Sequence, residues 1–316
     1  MTNSRLPRRI LLSLLVLTLS GCGSRSVPEG TLITIVYSSD VRGRLDACGC
    51  RQGSGGVARR SAAIQTVRGE NPLTVYCDAG NFLSGTAHAD SSRGLVSVAA
   101  YDHMRASVVN VSERELAFGV EAYRASRRKS RFEWVSANLT YRGGALAGDF
   151  VIRKINDARV AFVGLCGATA AMRSDSVMLP AGTVIEDPVE AARKAVVAIG
   201  DKADLVVVLS TCGDAMDSLV ARDVPGIDLI IGGRSFRSNS GNPWVVGETR
   251  IVRADHDGRT LGRMDIVFGA ENKIATWRAS TITMEDPNRA DPEMLALVRR
   301  YIPESIENPA ESPPPR

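Results

Sequence analysis

Short apolar runs that alternate with helical stretches constrain the fold of this chain more than any other feature. Residues 32–37, 73–77 and 205–209 are apolar runs of strand length, and residues 55–68 and 188–203 carry apolar positions at helical spacing. Runs of this length with helices between them are typical of a sheet covered by helices. The pattern therefore predicts an α/β fold that begins with a buried strand.

The second half of the chain adds strands in which apolar and polar residues alternate. The dipeptide Asn156-Asp157 separates two of them and favours a hairpin turn. Residues 244–282 contain further alternating strands and the turn sequence Asp257-Gly258, which together predict an antiparallel meander. The fold class is therefore α/β with α+β mixed character: a sandwich of mixed sheets flanked by helices, in a single domain.

The N-terminal segment has the features of an export signal. Arg5, Arg8 and Arg9 precede an apolar run at residues 10–19, which is too short to span a bilayer core of about 30 Å. Such a segment is typically removed from the mature protein. Its ending, Leu-Ser-Gly-Cys, resembles the lipobox of bacterial lipoproteins, which implies cleavage before Cys22 and lipidation of its thiol. An ordinary secretory peptide with a chance cysteine is the alternative.

These signals divide the chain into four parts. The parts are a lipoprotein signal peptide at residues 1–21, a tether at 22–30, the folded domain at 31–285, and a short helix with a Pro-rich tail at 286–316. A lipid on Cys22 would anchor the protein to the cell membrane or the outer membrane, facing the periplasm or extracytoplasmic side. The formal net charge of +4 gives no reason to expect nucleic acid as a partner.

Polar and sulfur-containing residues follow several of the predicted strands. In α/β sheets, ligands bind beyond the carboxyl ends of the strands. We therefore expect these residues, including all five cysteines after Cys22, to border one cleft at a common edge of the sheets. They are Asp40, Cys48, Cys50, Cys77, Asp78, Glu113, Cys166, Cys212 and Arg234.

Six segments resemble, in the same order, periplasmic 5′-nucleotidases and related calcineurin-like phosphoesterases. They are residues 33–43, 55–60, 78–81, 135–139, 187–192 and 227–233. Each segment is short, but together they extend over most of the chain from residue 31 onward. The resemblance implies a four-layer metallophosphatase-like β-sandwich. It also implies an ancestral activity in which two divalent cations activate a water molecule against phosphorus.

The metal-binding positions of that family can be placed on this sequence, and most of them carry a different residue. Asp40 keeps the family's first aspartate, and the motif that begins at Asp78 has Asn81 in place of the bridging aspartate. The ligand asparagine and the catalytic histidine of the third motif fall on Glu113 and Arg114. The histidines of the other motifs fall on Arg42, Thr211, Arg234 and Phe236.

Three arginines would place permanent positive charge where the family binds its cations. Like charges about 4 Å apart repel by roughly 4 kcal/mol at an effective dielectric constant of 20, so we expect no dinuclear metal centre. Either the arginines pair with acidic residues of the site in salt bridges, or they form a pocket for a small anion such as phosphate or sulfate. The arginines are Arg42, Arg114 and Arg234, and the acidic residues are Asp40, Asp78 and Glu113.

Cys48 and Cys50 lie in the loop after the first strand. The sequence Cys-Gly-Cys before a Gly-Gly-x-Ala-Arg segment resembles the family described as UshA-like (seleno)proteins, in which one position of the pair can be selenocysteine. The resemblance implies redox or soft-metal chemistry. A disulfide between such close residues is strained and easily reduced. Arg42, Arg44 and Arg51 nearby would lower the pKa of the thiols.

The cysteines leave three interpretations open. Structural disulfides suit an oxidising periplasm, clustered thiolates suit a soft metal ion such as Cu(I) or zinc, and the close pair suits thiol exchange with a redox partner. The candidate resolving or metal-binding thiols are Cys77, Cys166 and Cys212.

The leading hypothesis is a thiol-based redox lipoprotein in which Cys48 and Cys50 are the catalytic residues. One alternative is a phosphoester (nucleotide) hydrolase that uses a single divalent cation at the degenerate site. The other is a non-catalytic protein that binds an anion or a soft metal ion.

Overall fold

The computed structural model describes residues 26–47, 55–167, 177–235, 238–286 and 288–302. Its strands are β1 (Leu32–Ser38), β2 (Thr74–Asp78), β3 (Val108–Asn110), β4 (Glu133–Val135), β5 (Leu139–Tyr141), β6 (Gly144–Ala145), β7 (Phe150–Ile155), β8 (Ala158–Leu165), β9 (Thr183–Ile185), β10 (Leu205–Ser210), β11 (Leu229–Gly232), β12 (Trp244–Val246), β13 (Thr249–Val252), β14 (Thr260–Phe268) and β15 (Ile274–Thr283). Its α-helices are α1 (Val57–Glu70), α2 (Ala87–Ser91), α3 (Leu95–His103), α4 (Val120–Lys129), α5 (Pro188–Ile199), α6 (Asp214–Asp223) and α7 (Pro292–Tyr301). In this part of the chain, no helix has the length and apolar character needed to cross a membrane.

Two six-stranded sheets carry most of the strands. The first has the order β15-β14-β1-β2-β3-β4, and the second has the order β12-β13-β11-β10-β8-β7. Strands β1 to β4 are parallel in the first sheet, and β8, β10, β11 and β13 are parallel in the second. The other strands of both sheets pair antiparallel at the edges. The remaining sheet joins β6, β5 and β9.

Three hydrophobic clusters divide the fold into layers. One cluster lies between the two large sheets, where Ile35 of β1 and Val207 of β10 are fully buried. A second cluster lies between the first sheet and helices α1, α3, α4 and α7. A third lies between the second sheet and helices α5 and α6. The order helix, sheet, sheet, helix confirms the predicted four-layer sandwich.

The two halves of the predicted meander belong to different sheets. β12 pairs with β13 in the second sheet, whereas β14 pairs with β1 and β15 in the first. The chain crosses between the sheets at the short 3-10 helix His256–Gly258, so Asp257-Gly258 is not a hairpin turn. The prediction of one continuous meander was wrong, because alternation identifies a strand but not its partner. The predicted hairpin at Asn156 is confirmed by the antiparallel register of β7 and β8.

Both ends of the described chain are docked on the domain. Val27 is 4% exposed, and its N–H donates to Asn272 Oδ1 at 2.7 Å. Helix α7 buries Met294 and Val298 in the cluster that covers the first sheet, and Ile302 belongs to the same cluster. The folded domain therefore includes residues on both sides of the predicted boundaries at 31 and 285.

Candidate functional site

The loops that follow β1, β2, β3, β10 and β11 meet at one end of the sandwich. We call this region the strand-end site. It brings together six of the predicted positions, because the carboxyl ends of parallel strands share one edge of a sheet. They are Asp40, Arg42, Asn81, Glu113, Thr211 and Arg234.

Both carboxylate oxygens of Asp40 accept hydrogen bonds from protein groups. Asn81 Nδ2 donates to Oδ1 at 2.8 Å, and the backbone N–H of Arg234 donates to Oδ2. The Asp40 residue is 6% exposed. Its side chain thus joins the loops of the two sheets, and a cation at Asp40 would have to displace these donors.

A hydrogen-bond network continues from Asn81 to Glu115, which was not among the predicted site residues. Ser112 Oγ donates to Asn81 Oδ1 at 2.7 Å. Glu115 is 1% exposed and accepts the backbone N–H groups of Ser112 at 2.9 Å, Phe82 at 2.8 Å and Asn81 at 3.1 Å. These donors stabilise a buried carboxylate without a cation. The spacing Ser-x-x-Glu is a capping box, a sequence signal from which Glu115 could have been predicted.

Arg234 forms an ion pair with Glu113. Its Nη2 atom contacts Glu113 Oε2, and its Nη1 atom donates to Gly167 O at 3.4 Å. The side chains of Arg234 and Glu113 are 21% and 7% exposed. Burial lowers the pKa of Arg234, whereas the nearby Asp40 raises it. This pair favours the salt-bridge interpretation of the arginines over an open anion pocket.

Arg42 pairs with an aspartate that the sequence pattern had placed in a hairpin turn. Arg42 Nε lies 3.7 Å from Asp257 Oδ1, and the N–H of Asp257 donates to Asp40 O at 2.9 Å. His256 Nε2 and Arg259 Nη2 lie 3.6 Å and 3.8 Å from Asp257 Oδ2. Burial lowers the pKa of His256 despite the adjacent carboxylate. The turn that crosses between the sheets therefore supplies the acidic partner of Arg42.

The other substituted positions contribute less to the centre of the site. Arg114 is half-buried, and its Nη1 atom donates to Ser84 O at 3.4 Å on the loop after β2. Thr211 is fully buried, with Oγ1 donating to Leu165 O at 3.5 Å. Phe236 lies outside the described residues. Arg114 thus borders the site, whereas Thr211 packs beneath it.

Asp78 also lies beneath the site and does not contact the arginines. Its carboxylate accepts hydrogen bonds from Ser38 Oγ, from Tyr101 Oη at 2.7 Å and from the Gly80 N–H at 2.8 Å. Burial raises the pKa of Asp78 to about 7, although these hydrogen bonds lower it. The expectation that Asp78 pairs with an arginine was wrong, because its side chain points from the end of β2 towards α3.

Four residues of the site have left-handed backbone conformations. The φ angles are 48° for Asp40, 53° for Arg42, 64° for Asn81 and 54° for Arg234. Such conformations are uncommon in residues other than glycine and cluster at functional sites. These are four of the positions that the sequence resemblance places on the family's metal ligands, and this coincidence supports the assignment of this region as the candidate site.

No model of a known protein family matches this sequence. The chain is 26% identical over 306 residues to the 5′-nucleotidase of Mus musculus, which covers 85% of this chain and 52% of the mouse protein. Its fold matches a 5′-nucleotidase precursor from Thermus thermophilus with a TM-score of 0.77 at 24% identity, covering 86% of this chain and 58% of that one. It matches the calcineurin-like phosphoesterase YfkN from Bacillus subtilis with a TM-score of 0.72 at 17% identity, covering 87% and 97% of the two chains.

The chain thus has the fold of calcineurin-like phosphoesterases, and its sequence is similar to that of 5′-nucleotidases. The match includes the N-terminal domains of 5′-nucleotidases, and the chain spans about half the length of the mouse relative. The closer resemblance to the UshA-like (seleno)proteins stays a prediction.

The residues of the strand-end site do not fit the two divalent cations that metallophosphatases bind. Such cations need carboxylate, amide or imidazole donors that converge on one point. The oxygens of Asp40 are already bonded to Asn81 and Arg234, and Glu113 is paired with Arg234. Within the described ranges, no three His, Cys, Asp or Glu side chains form a group that could hold a metal ion. A two-metal mechanism therefore does not follow from these side chains.

The catalytic candidates Cys48 and Cys50, and the lipidation candidate Cys22, lie outside the described residues. The two ends of the loop that contains Cys48 and Cys50 are described. These ends, Ala47 and Gly55, form an antiparallel β-bridge that we call the loop root. A Cβ atom on Gly55 would lie 2.8 Å from the carbonyl oxygen of Gly258. The loop root therefore packs against the turn that carries Asp257.

A buried arginine lies beside this loop root. Arg60 is 1% exposed, and its Nη2 atom donates to Arg44 O at 2.7 Å. Among the residues that the structure describes, no acceptor lies within hydrogen-bonding distance of its Nε and Nη1 atoms. A Cβ atom on Gly258 would lie 2.7 Å from Nη1, so the guanidinium of Arg60 packs directly against this glycine. A buried cation without a carboxylate partner favours negative charge in its surroundings.

The other three thiols are unpaired, and the fold separates them. Cys77 is fully buried between the two sheets, so the expectation that it borders the cleft was wrong. Cys166 is buried after β8, and Cys212 follows Thr211 with its side chain half-buried. Burial raises the pKa of all three thiols above the ordinary value. Cys212 is the most accessible candidate for a resolving thiol.

Proposed function

We propose that this chain is an exported, lipid-anchored member of the metallophosphatase superfamily that no longer uses the two-metal hydrolysis of that superfamily. In this proposal Cys22 carries the lipid, the domain faces the periplasm, and Cys48 and Cys50 carry out thiol–disulfide exchange. The resemblance of the Cys-Gly-Cys segment to the UshA-like (seleno)proteins motivates the choice of these two thiols.

The observation that carries the proposal is the ion pair between Arg234 and Glu113. In this proposal Arg234 occupies a former metal-ligand position. Its guanidinium places positive charge there and pairs with the carboxylate of Glu113. Because Asp40 is also bonded at both oxygens, the acidic groups of the old catalytic centre are engaged in internal contacts. The chemistry of the protein is then expected from another part of the cleft.

The charges at the root of the cysteine loop support the choice of thiol chemistry. Arg60 is buried there, and Arg42 and Arg44 precede the loop in the chain. Neighbouring guanidinium groups favour the thiolate over the thiol and thereby lower the pKa of a cysteine. Thiolate is the form that attacks a disulfide.

The proposed reaction is exchange between a Cys48–Cys50 disulfide and a dithiol of a partner protein. A partner thiolate attacks one sulfur, which forms a mixed disulfide and releases the other sulfur as a thiolate. The second partner thiolate then attacks the mixed disulfide. The partner leaves as a disulfide, and Cys48 and Cys50 become thiols after accepting two electrons and two protons. The reverse sequence oxidises Cys48 and Cys50 and reduces the partner.

The reduction potential of the Cys48–Cys50 pair tests this proposal. Differential alkylation in glutathione buffers, read by mass spectrometry, should give a value between about −270 and −120 mV, the range of proteins that exchange disulfides. Cys50→Ser should abolish reduction by a dithiol substrate. The control Cys77→Ala, at a thiol between the sheets, should retain it. A potential below about −300 mV would identify a structural bridge and end the redox proposal.

Hydrolysis of a nucleotide is the second candidate, because the relatives are named 5′-nucleotidases and Asp40 is retained. The assay is release of phosphate from adenosine monophosphate with Mn²⁺ or Mg²⁺ present. Turnover that disappears in Asp40→Ala would establish the hydrolase and displace the redox proposal. We expect no such turnover above the Asp40→Ala background.

A further inference from the structure

The parallel strands give the domain two opposite faces. The strand-end site lies at the carboxyl ends of β1, β2 and β3. The opposite face, which we call the amino-end face, contains the starts of β1 to β4 and the last turns of α1, α3 and α4. Contacts hold this face together: the Glu133 N–H donates to Ser107 O at 3.1 Å, and Asn71 Nδ2 donates to Leu32 O at 3.2 Å.

The N-terminal end of the described chain is fixed to the amino-end face. Val27 is buried, its N–H is bonded to Asn272, and the Gly30 N–H donates to Phe268 O at 2.8 Å. Five residue steps separate Val27 from Cys22, and they span at most about 18 Å in any conformation. Strand β1 alone, from Leu32 to Ser38, separates the two faces by about 20 Å. A lipid on Cys22 therefore keeps Val27, and with it the amino-end face, within about 18 Å of the membrane.

Basic side chains concentrate on the same face. The last turn of α4 and the segment before β4 expose several of them, and the second residue after α3 exposes another. Acidic residues on this face have cationic or N–H partners of their own. Asp102 Oδ1 accepts the Arg131 N–H at 2.7 Å, and Glu133 Oε1 lies 4.0 Å from Arg153 Nη1. Glu70 pairs with Arg263 at 2.5 Å, and Glu271 pairs with Lys273 at 2.7 Å. The exposed basic residues form what we call the basic patch: Arg105, Arg127, Arg128, Lys129 and Arg131.

From this arrangement we propose that the amino-end face docks on an anionic phospholipid surface through the basic patch, with the strand-end site turned away from the membrane. The orientation depends on the proposed lipid on Cys22. The contact between the basic patch and the membrane is proposed independently of that lipid. Basic side chains near an anionic bilayer attract it, and the attraction weakens as salt screens the charges. The described root of the cysteine loop, Ala47 and Gly55, packs against the turn that carries Asp257 and therefore lies on the side of the strand-end site.

Vesicle flotation of the chain from residue 23 onward, which includes every described element, tests the basic patch without the lipid. We expect the protein to float with phosphatidylglycerol vesicles at low salt, and to stay unbound at high salt or with phosphatidylcholine. Arg128→Glu/Lys129→Glu should reduce the bound fraction at least about fivefold. Arg93→Glu/Lys194→Glu, an equal charge change at exposed positions off this face, should leave it unchanged. Equal loss in both variants, or equal binding to phosphatidylcholine, would overturn the proposal.

Footprinting of the lipidated protein tests the orientation separately. The mass of the mature N-terminal peptide first shows whether Cys22 carries lipid. This measurement tests the lipid anchor independently of the orientation. On vesicles of phosphatidylglycerol and phosphatidylethanolamine, compared with detergent, amide hydrogen exchange should slow at residues 127–131 and 269–273. It should stay unchanged at residues 112–116 and 233–235. If exchange slows at residues 112–116 and 233–235 in a protein shown to carry the lipid, the proposed orientation is wrong although the lipid anchor is present.

Discussion

At the scale of single residues, an arginine contributes to the stability of the strand-end site through its ion pair with a buried glutamate. Glu113 is buried, and its ion-pair partner is Arg234. Removing one member of a buried ion pair leaves the other charge uncompensated, which costs more than removing both. Arg234→Met should therefore destabilise the protein by about 2–3 kcal/mol, as measured by urea unfolding at pH 7.

The matched double variant, Arg234→Met/Glu113→Gln, should be more stable than Arg234→Met alone. If the two substitutions are instead additive, the contact between Glu113 and Arg234 does not stabilise the fold. The interpretation of the arginines as structural salt bridges would then lose its support.

Asp78 gives the protein a pH-dependent stability. Burial raises its pKa in the folded state to about 7, whereas an unfolded aspartate has a pKa of about 3.9. Between these values the folded state binds more protons than the unfolded state, so this group makes stability fall as the pH rises from about 4 to 7. The change is at most about 4 kcal/mol, because one pKa unit corresponds to about 1.36 kcal/mol.

The variant Asp78→Asn should remove this dependence. Its stability relative to the wild type should be higher at pH 8 than at pH 5, since only the wild type then carries a buried charge. Chemical denaturation at both pH values measures the difference. Parallel pH profiles of the two proteins would show that Asp78 stays ionised throughout, against the effect of its burial.

At the scale of secondary-structure elements, Asp291 connects the last helix to the domain. Its Oδ1 accepts the Glu293 N–H at 2.9 Å at the start of α7. Its Oδ2 accepts Ser61 Oγ at 2.6 Å and lies 2.8 Å from His103 Nε2, which ties α7 to α1 and α3. Asp291→Ala should cost about 1–3 kcal/mol, from the lost N-cap and the unpaired polar groups.

Hydrogen exchange should then accelerate in the amides of α7 more than in β1 or β10. Asp286→Ala is the control, because Asp286 is an exposed aspartate of the same segment that bonds the Asn288 N–H at 2.9 Å. Equal effects of the two substitutions would mean that Asp291 does not attach α7.

The sequence predicts the individual strands and helices better than it predicts the tertiary contacts between them. Long apolar runs such as those of β1 and β10 determine a strand wherever it pairs. The positions that meet at the strand-end site also follow from strand order. The partner of Arg42 could not be predicted in this way, because Asp257 reaches the site only where the chain crosses between sheets. Helix α6 was missed since its start, Asp214-Ala-Met-Asp, carries little apolar periodicity.

At the scale of the whole molecule, the two faces of the domain separate its proposed tasks. The amino-end face carries Val27 and the basic patch, and the strand-end site lies about one strand length away. This separation is a property of the parallel sheet and does not depend on the side chains of the site. Substitutions at the strand-end site would therefore leave the separation of the two faces unchanged.

Metal binding should contribute nothing to the stability of this domain, which is the last prediction. A ligand that binds only the folded state raises its stability by about 4 kcal/mol at a thousandfold excess over the dissociation constant. Since Asp40 and Glu113 are engaged by Asn81 and Arg234, an excess of Mn²⁺ or Mg²⁺ should leave the melting temperature unchanged, and a chelator should not lower it. Thermal unfolding with each cation, and with Asp40→Asn as the matched variant, decides the question. A cation-dependent increase that disappears in Asp40→Asn would place a working metal at the strand-end site and restore hydrolysis as the first candidate.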